Sequence, residues 1–562
     1  MSDPMGVFIR SYLGEDGYST ARTCLTPTSD TRVKNIACDT RPVVPIVFLP
    51  GIMGTNLKSV DDDGVWTPPN KNNPVDIVCA IFFLLGWWAR GPAARQTRMN
   101  PLTTRVDGSG AVRIAGSGLR DAKQARGRGW GEVHSDSYHG ILCYLEAQLN
   151  CPMRLGEIMG DWAGPAEGSD AADKHSPDKP ILMTAPSDFG ATQAGSALTY
   201  EEVKHFAENR YPVYAVGYNW LLSNRDSADY VHKRIQNICC QYGEGTKVIV
   251  VTHSMGGLVA RAITALIEDG SDLIYGVVHA AQPATGAPMA AKRFRTGAEG
   301  FLDRVMFGGD DAEWTAVAAN SPSALELMPM PDYRGGAPWW RIEDHDGRVV
   351  MALPKISSEK EIYTNSAWYG LIPDESLIDP AGIVRKAARA KGEDENLRKI
   401  FSEAIEKVAD FQNSISGRYH ELTHVLYGDG ELSEQLLKSE KSERLDSFGT
   451  VRWRGRLPEG TTEMDLQDGC LLEDNHRGEL KIGLRLGVAI LTIQPADEPG
   501  DGTVPASSAA APKAKSGVKQ TFRQGGYGHQ DCFKHPWARW ATLYAIGSIA
   551  RVIPERNGRA KG

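Results

Sequence analysis

The stretch KVIVVTHSMGGLVAR, from Lys247 to Arg261, constrains the fold more than any other part of the chain. It begins as a β-branched apolar run, and a helical pattern starts after its two glycines. Ser254 therefore lies at an abrupt corner between a buried strand and a helix. Such a strained turn projects a serine hydroxyl above the sheet, although a serine that simply caps a helix is the alternative. Gly256 permits the close passage that the corner requires, whereas Thr252 is bulkier than the glycine usual at that position.

Short apolar runs similar to this one recur and predict a sheet. They span 43–49, 212–217, 247–252, 273–280 and 423–427, and they are too short and too β-branched for helices. Helical periodicity lies between them, for example at Tyr138, Ile141, Leu142, Leu145 and Leu149. Strands that are buried on both faces and alternate with helices indicate a mostly parallel α/β sheet. With the corner serine, this pattern predicts an α/β-hydrolase fold with large helical cap and lid insertions.

Departures from the alternation mark the insertions. Residues 313–419 are polar and helical in pattern, 447–457 and 482–492 resemble a hairpin, and a final helix begins at Pro536. We predict an N-terminal extension (1–41), a hydrolase core (42–300 and 420–562), a lid-bearing insertion (58–130) and a helical cap insertion (301–419).

A serine nucleophile needs a base and an orienting acid, which follow it along the chain in α/β-hydrolases. Asp501 in GDGTVP and His529 in GGYGH lie on glycine-flanked segments, so the backbone can bring both side chains to one point. Asp429 in YGDGE follows an apolar run and is a rival for the acid. His535 is a weaker rival for the base, because its place at the start of the final helix suits capping or packing.

The same chemistry needs two amide donors for a tetrahedral oxyanion. Met255, directly after the serine, offers one amide. The glycine-rich segment PGIMGT predicts the other at Ile52, although a simple strand-to-helix turn is the alternative. His253 is expected to pack beneath the corner. The chemistry requires no metal and no cofactor, and we expect none.

The most apolar stretch is VDIVCAIFFLLGWW, from Val75 to Trp88. As a helix it would be about 20 Å long, shorter than a bilayer core of roughly 30 Å, so it does not predict a membrane span. One interpretation is a core helix. The other is a lid over the serine that contacts a membrane when it opens. Its contact residues would be Phe82, Phe83, Leu84, Leu85, Trp87 and Trp88.

Composition excludes some classes of partner and site. The formal net charge of −8 argues against nucleic acid, because a phosphate-binding surface normally has a basic excess. The nine cysteines form no CxxC or Cys/His cluster, so neither a zinc site nor a disulfide framework is indicated. The segment MSDPMGVFIRSYLGEDG lacks the regions of a secretory signal peptide.

Short motifs follow one another in a recognisable order: PGIMGTNL (50–57), YNWLLS (218–223), THSMGGLVAR (252–261), PATGAP (283–288), SPSALELMP (321–329), HVLYGDG (424–430) and GDGTVP (500–505). With them the chain resembles the lecithin–cholesterol acyltransferase-like branch of serine lipases, and it is similar to GPI inositol-deacylase-type hydrolases. Within that group it most resembles the fourth family of lipase effectors delivered by bacterial type VI secretion.

The resemblance implies Ser254, Asp501 and His529 as the triad, and it favours Asp501 over Asp429 because the acid of this branch belongs to a GD-x-TV element. It also implies an antibacterial lipase or phospholipase that cuts acyl esters of membrane phospholipids. Such an effector is made in the bacterial cytoplasm without a signal peptide. It is delivered with a secretion-spike protein to the target-cell periplasm or membrane, and a cognate immunity protein restrains it. Acyl transfer by the same triad and a catalytically silent interaction module remain alternatives.

Overall fold

The computed structural model describes residues 41–554 with gaps at 62–63, 69–85, 88, 155, 164–180, 300–303, 305–307 and 431–444. It also describes 7–10, 12–13, 19–21, 34–37 and 39. The predicted N-terminal extension therefore lies mostly outside the described residues, and the domain boundaries stay a prediction.

Two six-stranded sheets organise the fold. Their strands are β1 (Ile46–Leu49), β2 (Val213–Ala215), β3 (Val248–His253), β4 (Ile274–Ala280), β5 (Trp340–Glu343), β6 (Val349–Leu353), β7 (Thr423–Gly428), β8 (Val451–Gly455), β9 (Cys470–Asp474), β10 (Glu479–Leu484), β11 (Gly487–Ile493) and β12 (Val518–Gln524). The central sheet has the order β2-β1-β3-β4-β7-β12, and all of its neighbouring pairs are parallel. The prediction of a mostly parallel α/β sheet is confirmed.

The α-helices of the described residues are α1 (Pro92–Arg98), α2 (Ala122–Gly127), α3 (Ser135–Asn150), α4 (Tyr200–Ala207), α5 (Asn224–Cys240), α6 (Gly256–Leu266), α7 (Pro288–Thr296), α8 (Asp311–Ala318), α9 (Pro322–Glu326), α10 (Ile383–Lys391), α11 (Leu397–Ile415), α12 (Glu463–Gln467), α13 (Ala506–Ala509) and α14 (Pro536–Ala550). Short strands form small additional sheets, of which Leu57–Ser59 with Gly64–Trp66 and Thr104–Val106 is the three-stranded one.

Side chains of the central strands alternate between two cores, one on each face of the sheet. In β1, Ile46 and Phe48 belong to one core, and Val47 and Leu49 belong to the other. Helices α3 and α14 cover the first face, and α5 and α6 cover the second. Because both faces are buried, the strands consist of continuous apolar residues instead of alternating apolar and polar ones.

The second sheet has the order β6-β5-β8-β11-β10-β9. Strands β5 and β8 are parallel, and the other neighbours are antiparallel. One face packs against a third core, which includes Trp340 and Trp453 and receives side chains from α8 and α11. This sheet and its helices form a unit beside the central sheet.

Two secondary-structure predictions differ from the structure. Residues 313–419 contain β5 and β6 as well as helices, so this segment is mixed and not purely helical. The predicted antiparallel pairing of 447–457 with 482–492 is present between β8 and β11, but 482–492 also contains the turn between β10 and β11, and β5 pairs with β8 on its other side. The parallel pairing of β5 with β8 joins distant segments of the chain, which local periodicity cannot reveal.

Two of the sequence motifs meet in a buried polar contact between the start of helix α5 and helix α9. The Oε2 atom of the Glu326 carboxyl group accepts hydrogen bonds from the backbone and side-chain amides of Asn224, at 2.8 and 2.7 Å. The hydroxyl of Ser321 donates to the carbonyl of Leu221 at 3.1 Å. The motifs YNWLLS and SPSALELMP therefore contribute a buried polar contact to the fold.

The buried carboxyl group of Glu326 should make the stability of the protein depend on pH. Burial raises the pKa of Glu326 to about 8, from an ordinary value near 4.5. A carboxyl whose pKa is raised by folding stabilises the protein below the unfolded value, and this stability is lost as the pH rises through the folded value. We therefore expect the free energy of unfolding to fall between about pH 5 and pH 8, and to fall less in Glu326→Gln. Urea unfolding of both proteins at these two pH values measures this, and an equal pH dependence would contradict it.

Candidate active site

Ser254 lies between β3 and α6. Its φ is +53°, in the left-handed region that residues other than glycine rarely adopt. Its amide donates a hydrogen bond to the carbonyl of Ala280 in the neighbouring strand β4, at 2.8 Å. A strained serine between a buried strand and a helix has the geometry of a nucleophile elbow.

Close packing explains the small and large residues around the serine. A Cβ atom on Gly256 would lie 2.6 Å from the carbonyl oxygen of Pro50, so only glycine fits where α6 passes the end of β1. Thr252 is completely buried, and its hydroxyl lies 2.9 Å from Nδ1 of His279 in β4. His279 of β4 is therefore the polar partner of Thr252, the residue that stands where a glycine is usual.

His529 connects the serine to a carboxylate. Its Nε2 atom lies 2.8 Å from Oγ of Ser254, and its Nδ1 atom lies 2.7 Å from Oδ2 of Asp501. A carboxylate can only accept, so Nδ1 carries the hydrogen and Nε2 accepts from the serine hydroxyl. The Asp501 side chain is 2% exposed and that of His529 is 13% exposed. The structure thus brings the residues predicted as nucleophile, acid and base into one hydrogen-bonded chain.

The loop of Asp501 holds its carboxylate in place. Oδ1 accepts hydrogen bonds from the amides of Thr503 at 3.0 Å and Val504 at 2.8 Å. The backbone carbonyl of Asp501 accepts from the amide of His529 at 2.8 Å. Gly502 has a φ of +87°, which allows the loop to turn back on the carboxylate. One carboxylate oxygen is therefore bound by its own loop, and the other faces the histidine.

The two rival residues have other surroundings. Asp429 lies just after β7, where its carboxylate forms an ion pair with Arg523 of β12. His535 is the N-cap residue of α14, and its ring centroid lies 5.2 Å from that of Tyr527. Asp429 is therefore engaged by an arginine while Asp501 faces the histidine, and His535 packs at the start of a helix as expected.

The two amides predicted as an oxyanion hole flank the serine. Met255 is the N-cap residue of α6, and Ile52 lines the same cavity as Ser254. Within the described part of the chain, neither amide hydrogen has an acceptor. A Cβ atom on Gly51 would lie 2.9 Å from Cβ of Ser254, so the Ile52 segment can approach the serine this closely only because residue 51 is a glycine.

A cavity of about 340 Å³ opens at Ser254 and His529. Its apolar wall includes Ile52, Met53, Trp66, Met289, Trp314 and Leu327. Arg293 adds a cation to the wall, with its guanidinium 5.1 Å from the ring centroid of Trp314. A larger groove of about 760 Å³ runs along α10 and α11, and Ser254 is not among its lining residues. The cavity at the serine has the apolar lining and few polar groups typical of a ligand site.

Of the residues predicted to form the membrane contact of the lid, only Trp87 lies in the described part of the chain. Phe82, Phe83, Leu84, Leu85 and Trp88 lie outside the described residues, so their role stays a prediction. Trp87 is 1% exposed, its ring packs edge-on against Trp66 at 5.8 Å, and its carbonyl accepts from Arg95 at 3.0 Å. Neighbouring side chains cover the ring of Trp87 in this structure, and its contact with a membrane on opening of the lid stays a prediction. Among the helices described, none has the length and apolar character needed to cross a membrane.

Two clusters of carboxylates and histidines in the described residues are close enough to hold a metal ion. In the first, Arg295 lies 3.3 Å from Asp474, and His476 lies 3.0 Å from Asp311, so each of the two carboxylates already has a protein partner. The second, at 344–346, has its last two residues exposed. Neither cluster lines the cavity at Ser254.

Tyr138 is a site residue that sequence reasoning missed. The periodicity places it correctly on the buried face of α3, but its hydroxyl lies 3.0 Å from Nδ1 of His253, beside the serine. A buried tyrosine needs a hydrogen-bond partner for its hydroxyl, so its presence on an otherwise aliphatic face was the available signal. His253 packs beneath the corner as predicted, and it is also hydrogen-bonded.

The chain is similar to proteins of known family. The family of PGAP1-like alpha/beta domains matches residues 215–307, which include Ser254. A solved structure, described as the crystal structure of the Tle4–Tli4 complex, matches over 92% of this chain and 100% of that chain, with 31% sequence identity and a TM-score of 0.73. Phospholipase PlaB from Legionella pneumophila matches over 50% of this chain and 72% of that chain, with 11% identity. Its TM-score of 0.15 does not indicate a shared fold.

No curated protein matches in sequence. The match extends over the whole of that chain and over 92% of this one. This chain therefore belongs to the Tle4 family, the fourth family of type VI secretion lipase effectors, and has a PGAP1-like α/β-hydrolase fold.

Proposed function

We propose that this chain is a serine lipase that hydrolyses acyl esters of membrane phospholipids through Ser254, His529 and Asp501. The observation that supports it most is the hydrogen-bonded chain of these three side chains at a largely apolar cavity. Membership of the Tle4 family supports the same conclusion independently.

The mechanism follows from the hydrogen-bond directions. His529, oriented by Asp501, takes the hydroxyl proton of Ser254 as the serine oxygen attacks the ester carbonyl. The amides of Ile52 and Met255 stabilise the oxyanion that forms. The alcohol leaves with the proton from His529. Water, activated by the same histidine, then attacks the acyl-enzyme and releases the fatty acid.

The cavity wall favours a long acyl chain. Each methylene group that it removes from water contributes roughly 0.8 kcal/mol to binding. Side chains such as Met289 and Leu327 offer this apolar contact. The acyl chain of a phospholipid fits this lining.

The effector role is part of the proposal. The protein is made in the bacterial cytoplasm, delivered with a secretion-spike protein, and acts in the periplasm or on the membrane of the target cell. A cognate immunity protein blocks it in the producing cell. The related structure contains Tle4 in complex with Tli4, which supports a protein partner for this chain.

Release of fatty acid from defined phospholipids tests the function. Vesicles of phosphatidylcholine, phosphatidylethanolamine or phosphatidylglycerol, each with different acyl chains at the two positions, are incubated with the protein and analysed by mass spectrometry. We expect free fatty acid and a lysophospholipid. An added alcohol that became acylated instead would identify a transferase. No product, together with no labelling of Ser254 by a fluorophosphonate, would contradict the proposal.

A further inference from the structure

A chain of buried hydrogen bonds runs behind the serine. The amide of Gly51 lies 3.1 Å from the hydroxyl of Tyr138, and this hydroxyl lies 3.0 Å from Nδ1 of His253. The Nε2 atom of His253 lies 2.9 Å from the backbone carbonyl oxygen of His529. Tyr138 and His253 are each 1% exposed. Groups that are shielded from water therefore link the segment of Ile52 to the backbone of His529.

The direction of each bond is fixed. A carbonyl can only accept, so Nε2–H of His253 donates to His529. Burial lowers the pKa of His253 to about 3, so its ring is neutral and Nδ1 accepts. Tyr138 donates to Nδ1, and its oxygen accepts from the amide of Gly51. The other tautomer of His253 would place a lone pair against the carbonyl of His529.

Close packing holds this chain of bonds in place. The ring centroid of Tyr138 lies 5.1 Å from that of Phe48 and 5.6 Å from that of His253. A Cβ atom on Gly54 would lie 2.7 Å from the hydroxyl of Tyr138. Burying polar groups costs free energy unless they are hydrogen-bonded, and Tyr138 and His253 meet this condition through one another and the backbone of Gly51 and His529. The catalytic steps proposed above use neither side chain, so their place in the site needs another explanation.

We propose that Tyr138 and His253 are positioning residues that couple the oxyanion segment at Ile52 to His529, an inference that rests on the proposed function. The Ile52 amide must face the oxyanion while the ring of His529 faces the serine. A misplacement of 1 Å costs about 10²-fold in rate. A rigid link between the two groups maintains both alignments, so a break at either end disturbs both.

A double-mutant cycle tests the coupling. We expect Tyr138→Phe and His253→Phe each to lower kcat on a soluble short-chain ester by up to about 10²-fold, with little change in KM. The double variant should lose hardly more than the worse single variant, because the same link is broken in all three. His253→Gln keeps a neutral donor and acceptor and should recover part of the lost kcat. Losses that multiply, or that appear only in KM, would overturn the proposal.

Tyr211→Phe is the matched control. It removes an equally buried hydroxyl, which donates to the carbonyl of Phe206 at 3.1 Å, and it should leave kcat unchanged.

Hydrogen exchange gives a readout that does not depend on activity. Tyr138→Phe should speed exchange of the amide of His529 as well as that of Gly51, and faster exchange at Gly51 alone would overturn the coupling. A wild type without Ser254-dependent turnover would instead overturn the proposed function, and the exchange result would still decide whether the two segments are coupled.

Discussion

Replacement of Ser254 by alanine is expected to lower kcat by about 10⁴-fold or more, on both a soluble ester and a phospholipid. The variant loses the atom that forms the acyl-enzyme, while the cavity and the amides of Ile52 and Met255 remain. KM should change little, because the apolar wall that holds the acyl chain is unaltered. Initial rates over a range of substrate concentrations measure both constants.

The matched control for this variant is Ser414→Ala. Ser414 lies in α11, donates to the carbonyl of Phe411 at 2.7 Å and does not line the cavity. We expect its activity to equal that of the wild type. A Ser254→Ala protein that unfolds at the normal temperature but keeps substantial activity would show that another group is the nucleophile.

The other large effect is expected for Asp501→Asn, which should lower kcat by about 10⁴-fold. The asparagine oxygen can still accept from the amides of Thr503 and Val504, so the loop should keep its shape. Its NH₂ group would then face Nδ1 of His529 and donate to it. The ring hydrogen would move to Nε2, which could no longer accept the proton of Ser254. Rates of the purified variant on the soluble ester measure the loss.

Asp429→Asn removes the same charge from the rival acid and provides the comparison. Its carboxylate is engaged by Arg523, so we expect lower stability with retained activity. Thermal unfolding and initial rates of the two variants distinguish the roles. If Asp429→Asn lost as much activity as Asp501→Asn, or more, Asp429 would be the orienting acid.

The central sheet was predictable because its signals are local. A run such as 248–251 is β-branched and fully apolar, and the glycines that follow indicate the turn into a helix. The predictions of Met255 and Ile52 as amide donors follow from the same pattern, since each residue lies shortly after the end of a predicted strand. The predictions of the serine corner and its two amides therefore needed no information from distant parts of the chain.

The choice of acid could not be made from local pattern. Asp429 and Asp501 both lie beside glycines in the second half of the chain, and the motif resemblance alone favoured Asp501. In the structure Arg523, 94 residues after Asp429, engages the rival carboxylate. Trp87 likewise belongs to an apolar run that suits either a lid or a core, and its ring packs beside Trp66 and Arg95. The surroundings of Asp429 and of Trp87 both depend on side chains that only the tertiary structure brings close to them.

The position of β12 has a consequence for the cell that makes the protein. β12 is an outer strand of the central sheet, and His529 follows it. Chains emerge from the ribosome N-terminus first at about 5–20 residues per second, and early segments fold first. On the proposed mechanism, a nascent chain has its serine long before it has its base. It therefore cannot attack the lipids of its own cell until His529, 275 residues after the serine, has been synthesised, so a restraining partner need act only on chains that already contain this histidine.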